Sequence, residues 1–251
     1  MSHATPMLLN DFAIRSFRNT ADQDYIHARL AYKSGLIPQF LWSSLHCLEK
    51  YGKCILLLNR IDGKNIKHEL SSSLRRINNS GILKIELPEE SLKFIERLES
   101  CARFRYLEVS WYNLEHDIIR LDMTVSIIRR YCQVLNYSIK NIHQEDVNLF
   151  EINMKEIKDA ELSKLKKTCI FNGVLENTIK EKTNLARSAL VWKNLYFGPS
   201  TRKGVKMKSF WKSENAPLYL HPELIDEVTK YIFLPDEIIK GYQNLKANPE
   251  N

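Results

Sequence analysis

Seven apolar positions constrain this chain more than any other feature. Leu114, Ile118, Leu121, Val125, Ile128, Cys132 and Leu135 follow one another at intervals of 4, 3, 4, 3, 4 and 3. An α-helix turns once every 3.6 residues, so this spacing draws a single apolar stripe along one side of a helix. The pattern predicts a long helix over residues 114–135 with the stripe buried. Such a seam either zips two chains into a coiled coil or faces the core of a bundle. Helical patterns elsewhere in the chain favour the core-facing reading.

Those patterns are plain upstream. Residues 1–10 read as a loose tail. A helix is expected over residues 21–33, stopped by Gly35 and Pro38. The next runs over residues 39–59, with Leu41, Leu45, Leu48, Gly52, Ile55 and Leu58 on one stripe and Glu49, Lys50 and Lys53 off it. A short helix is expected over residues 67–77. Residues 82–87 and 106–111 alternate apolar and polar side chains, which suits two short strands that could pair. Between them Pro88 opens a helix to about residue 101, with Glu89 and Glu90 at its positive end. Residues 136–153 read as a polar connection. A helix over 155–193, an irregular basic stretch over 199–222 and short helices over 223–233 and 235–245 complete the chain. The organisation expected is a bundle over 1–145 and a helical C-terminal region over 146–251.

Composition narrows the class of protein. The chain has 251 residues, 44 % hydrophobic and 27 % charged, which suits a globular fold. Its net charge is +7, from 37 basic and 30 acidic residues. That sign favours acidic partners such as nucleic-acid phosphates, although many of the lysines sit near glutamates. Five scattered cysteines without a CxxC pair read as free buried thiols in a reducing compartment. No leader pattern is seen at the start. The stretch 40–58 is broken by His46, Glu49, Lys50 and Lys53 and is too polar to span a membrane. A cytoplasmic protein with no cofactor and no metal site is expected.

Four segments, in order, resemble the HEPN family. Gln39-Phe40-Leu41-Trp42 leads into Leu48-Glu49-Lys50-Tyr51-Gly52-Lys53, which is similar to that family's early helix. His68-Glu69-Leu70 resembles its His-x-Leu helix. Arg103-Phe104-Arg105-Tyr106 resembles the segment before its last helix, and the 114–135 seam resembles that helix. The resemblance covers a little over half of the chain. It implies a mostly α, up-and-down antiparallel helical bundle that commonly forms a homodimer. It also implies one of two functions: a non-catalytic module that binds RNA or a nucleotide, or partners a nucleotidyltransferase, or a metal-independent endoribonuclease of the toxin or defence kind. A dimeric scaffold is a third possibility. The family's nucleases use Arg-x(4–6)-His. Here no histidine follows an arginine at that spacing; Arg60 and His68 are separated by seven residues. Catalysis is therefore not expected.

Candidate site residues follow from side-chain chemistry. His68, Arg105 and His116 are the weak catalytic candidates. His116 sits four residues before Arg120, a spacing that could hold a phosphate on one helix face. Arg103, Arg105 and Tyr106 could grip a phosphate and stack a base. The stretch from Arg202 to Lys212 carries Arg202, Lys203, Lys206, Lys208 and Lys212 beside Phe210 and Trp211, with no acidic residue. Basic loops with aromatic rings suit single-stranded nucleic acid. Glu49, Lys50 and Lys53 could line a ligand groove; the alternative is a solvated helix face.

Overall fold

A computed structural model describes residues 4–66, 69–102, 106–162, 170, 172–198, 204–207 and 211–247. The described residues are mostly helical, with two small two-stranded sheets among them. Residues 4–10 are not a loose tail: α1 spans Ala4–Phe12 and runs into a π-helical segment, Ala13–Arg18. Then come α2 (Asn19–Lys33) and α3 (Ile37–Leu58), which pack against each other as a helical hairpin. The turn between them is built by Gly35. Its backbone sits at φ +74°, the left-handed region that glycine tolerates without a steric penalty. That bend lets Leu36 N–H reach Ala31 O at 2.9 Å and Gly35 N–H reach Tyr32 O at 3.0 Å, the double closure of a Schellman motif.

Helix α4 (Leu70–Asn79) crosses α3 at Gly52, where an added Cβ would lie 3.0 Å from Ser73 Cβ. Helix α5 (Glu89–Cys101) begins immediately after Pro88, with Glu89 and Glu90 in its first turn. The strand expected over residues 82–87 does not form. That segment is extended but unpaired in any sheet, and Leu83 and Ile85 bury their side chains against the helices. Strand β1 is Trp111–Asn113, and its partner comes from the far end of the chain.

The 114–135 stripe is buried as its spacing predicts, with Leu114 half-buried at its start, but it is not one long helix. Helix α6 covers Asp117–Ile128 and tightens into a 3₁₀ turn at Arg129–Tyr131; Cys132 and Leu135 are buried beyond it. A hairpin follows, β2 (Ser138–Lys140) with β3 (Asp146–Asn148), in what reads from sequence as plain connection. Helix α7 is Phe150–Leu162. The single helix expected to residue 193 is instead interrupted, with α8 at Val174–Lys180 and α9 at Arg187–Val191. Strand β4 (Lys212–Glu214), α10 (Pro217–Leu220), a 3₁₀ turn at Pro222–Leu224, α11 (Ile225–Val228) and α12 (Asp236–Ala247) end the described chain.

The core crosses the boundary expected at 145/146. Met154, Ile157, Leu175, Leu190 and Phe197 belong to the same apolar cluster as α2, α3 and α6. A smaller cluster of Ala216, Ile225, Leu234, Ile238 and Tyr242 packs against Leu107 and Val109.

Buried ion pairs tie the halves together. Arg129 Nε and Nη2 donate to the two Asp22 oxygens at 2.7 and 2.8 Å; Nη1 and Nη2 donate to the two Glu176 oxygens at 2.7 and 2.8 Å. Gly173 packs closely against this pair: an added Cβ would lie 2.6 Å from Arg129 Nη2, so the ion pair would have to shift to admit one. Breaking a buried pair on one side leaves an uncompensated charge, at about 3–5 kcal/mol. Arg129→Met should therefore lower the unfolding free energy by about that amount. The urea midpoint at unchanged m-value reads it, and a loss below about 1 kcal/mol would contradict the role assigned to the pair.

Candidate nucleic-acid interface

The β1–β4 ribbon brings together side chains that the sequence keeps a hundred residues apart. Trp111 faces Glu214, Tyr112 faces Ser213 and Asn113 faces Lys212 in antiparallel register. This places Trp211 beside the start of α6. With Leu114, Glu115, His116 and Arg120 it lines a hollow of ≈ 330 Å³. Leu114 and Arg120 also border a second hollow, of ≈ 550 Å³, that reaches Lys93, Arg97 and Tyr112. The two hollows thus adjoin along one side of the ribbon.

Asp117 organises this floor. It is fully buried at the first turn of α6, where the helix end favours negative charge. Its Oδ2 accepts Leu114 N–H at 2.7 Å, while Oδ1 lies 2.5 Å from Arg97 Nη2 and 3.1 Å from Arg120 Nη1. Arg97 also donates to Tyr112 O at 2.7 Å and lies over the Tyr112 ring at 4.9 Å. Arg120 reaches across to Glu90 at 2.8 Å. Burial works against charge on Arg120, but its bonds to Glu90 and Asp117 prevail and hold its pKa above the ordinary value.

The sequence candidates fall into three groups. His116 and Trp211 meet at one hollow, His116 beside Glu115 with its Nε2 3.0 Å from Oε1, whereas Lys212 pairs with Asn113 on the ribbon face that carries Trp111 and Glu214. Trp211 is 67 % exposed, and Lys212 has no ion-pair partner among the described residues. Tyr106 and Lys206 are exposed elsewhere; Tyr106 borders a different pocket, and Lys206 accepts a backbone hydrogen bond from Lys193 Nζ at 2.7 Å. Arg103, Arg105, His68, Arg202, Lys203 and Lys208 lie outside the described residues. The proposed groove of Glu49, Lys50 and Lys53 is not an open charged face. Glu49 is 4 % exposed, Lys53 is half-buried, and Lys50 Nζ is bound to Asp24 Oδ2 at 2.6 Å, joining α3 to α2.

Sequence reading missed the buried charges of α2. Asp22 and Arg29 are seven residues apart, in step with the buried Ala21, Tyr25, Ala28 and Tyr32. That shared register was the available signal, because a charge on an apolar stripe needs a buried partner. It also missed Tyr112, Lys93 and Arg97, which no motif marks.

Among the described residues, no cluster of three or more His, Cys, Asp or Glu could hold a metal ion. No described helix is long and apolar enough to cross a membrane. Comparison with protein families, curated proteins and solved structures finds no match to this chain.

Asp117→Ala should cost about 3–5 kcal/mol of stability, since it strands the buried Arg97 and removes a helix-start acceptor. Trp211→Ala, at an exposed position, should stay within about 0.5 kcal/mol of the parent. Chemical denaturation of the two variants checks both, and equal stabilities would contradict this account of the floor.

Proposed function

We propose that the chain is a non-catalytic, HEPN-like helical module that binds single-stranded RNA or a nucleotide along the β1–β4 ribbon. The observation that carries this reading is the convergence of two exposed rings, Trp211 and Tyr112, with His116, Arg120 and Lys93 around adjoining hollows. Unpaired bases stack on aromatic faces, and cations alongside neutralise the backbone. Among the described residues His116 and Arg120 are both engaged by carboxylates, and His116 precedes the arginine, the reverse of the family's nuclease order. The expected homodimer and partnership with a nucleotidyltransferase rest on the family resemblance alone.

The electrostatics set the strength of the interaction. Arg120 is held by Glu90 and Asp117, and Lys93 by Glu89 at 2.6 Å. Few cations are free to displace counterions, so binding draws more on stacking than on charge. With about two phosphates neutralised, log K should fall against log salt with a slope of roughly −1.4. Replacing Trp211 and Tyr112 together by Ala should weaken binding about 10- to 100-fold, the worth of one to two stacked bases. Fluorescence anisotropy with a labelled oligo(U) in EDTA measures both. Absence of binding at low salt, or a double variant that binds like the parent, would overturn the interface; shortened RNA would overturn the non-catalytic assignment.

A further inference from the structure

Trp111 and Glu214 oppose each other on the side of the ribbon away from Tyr112, because successive side chains of a strand point to opposite faces. That side opens into a separate pocket of ≈ 410 Å³, between the start of α3, the end of α5 and residues 106–111. Its size falls within the range of small-molecule sites. Trp42, Trp111 and Tyr106 contribute rings, and Leu41, Leu107 and Val109 contribute aliphatic wall. Trp42 is braced from behind by the His46 ring, with centroids 4.0 Å apart. Cys101, also in the wall, is a neutral thiol: burial pushes its pKa up to about 11.

The charge of the described lining is negative. The protein carries a net +7, yet among the described residues no Lys or Arg borders the pocket. The charged group that does border it is Glu214. Its carboxylate has no hydrogen-bond or ion-pair partner among the described residues, in a protein whose other surface carboxylates often hold a lysine or arginine. An unpaired carboxylate beside aromatic rings attracts positive charge twice, once by direct attraction and once through the negative ring faces.

We propose that this pocket binds a small organic cation, a substituted ammonium ion bearing apolar groups, with its charge held between Glu214 and the rings of Trp42, Trp111 and Tyr106. The apolar substituents fill the wall of Leu41, Leu107 and Val109. The ligand's positive charge is what separates it from the RNA proposed for the other side of the ribbon, so the two assignments stand on different residues.

Two of the protein's four tryptophans line the pocket, so intrinsic fluorescence reports occupancy. Full-length protein is titrated with benzyltrimethylammonium, with its uncharged carbon analogue neopentylbenzene, and with AMP. The cation should quench in a saturable way. The carbon analogue should bind about tenfold more weakly, and so should the cation to Glu214→Gln, an exposed substitution that leaves the fold intact. Trp42→Leu should weaken the cation further. No saturable quenching by the cation, equal binding of the uncharged analogue, or AMP binding in preference to the cation would each overturn the proposal. If the cation fails while oligo(U) still binds, this pocket assignment falls alone; if oligo(U) fails while the cation binds, the RNA reading falls alone.

Discussion

Arg129 donates to both oxygens of Asp22 and both oxygens of Glu176, and all three side chains are closed off from water. Tyr51 adds a hydrogen bond to Asp22 at 2.6 Å. Burial works against charge on Arg129, but Asp22 and Glu176 outweigh it and hold the pKa well above the ordinary value, so the guanidinium stays charged. A second guanidinium repeats the arrangement nearby. Arg29 pairs with Asp122 and donates to the backbone oxygens of Ala189 and Trp192. Tyr25 donates to Asp122, and Asn194 donates to Tyr25. Arg129 directly follows α6 and Arg29 lies in α2, while their partners come from α2, α6 and residues 176–192. The fold is thus locked by charges that have no alternative partner once water is excluded.

That lock explains why the ribbon has a firm base. Helix α6 is held along its inward side through Asp122 and, just beyond its end, Arg129. Its first turn is then free to carry Asp117 and Arg120 toward α5, which fixes Arg97 under Tyr112. The second apolar cluster does the same for the far strand. Ala216 N–H donates to Ser110 Oγ at 3.0 Å and Tyr242 to Glu108 O at 2.5 Å, so residues 212–216 are seated against residues 108–113. Surface chemistry at Trp211 and Glu214 is positioned by interactions made well inside the molecule.

Periodicity in the sequence captured the elements that carry a continuous apolar stripe. The stripe of α3, the seam of α6 and the stop at Gly35 are all where spacing and turn chemistry place them. The rest was hidden for physical reasons. Residues 82–87 alternate like a strand, yet Leu83 and Ile85 bury against helices and no neighbouring strand pairs with the segment, so the alternation signals burial rather than a sheet. The pairing of residue 111 with residue 214 is a long-range contact that no local pattern encodes. Lys93, Arg97 and Tyr112 are ordinary residues until folding sets them side by side. Glu49 looked solvated because its neighbours Lys50 and Lys53 are charged, but helix geometry turns it toward the interior. Of the candidate binding residues, His116 and Trp211 were legible as chemistry and illegible as neighbours.

The central physical claim is that α2, α6 and residues 174–194 form one cooperative unit closed by the Arg129 and Arg29 ion pairs. Native-state hydrogen exchange in low urea tests it most directly, because contiguous units reveal themselves by shared opening free energies. Protected amides of α2, α6 and α8 should merge into a single opening isotherm. Amides of α8 that open at a much lower free energy, while α2 and α6 stay protected, would contradict it.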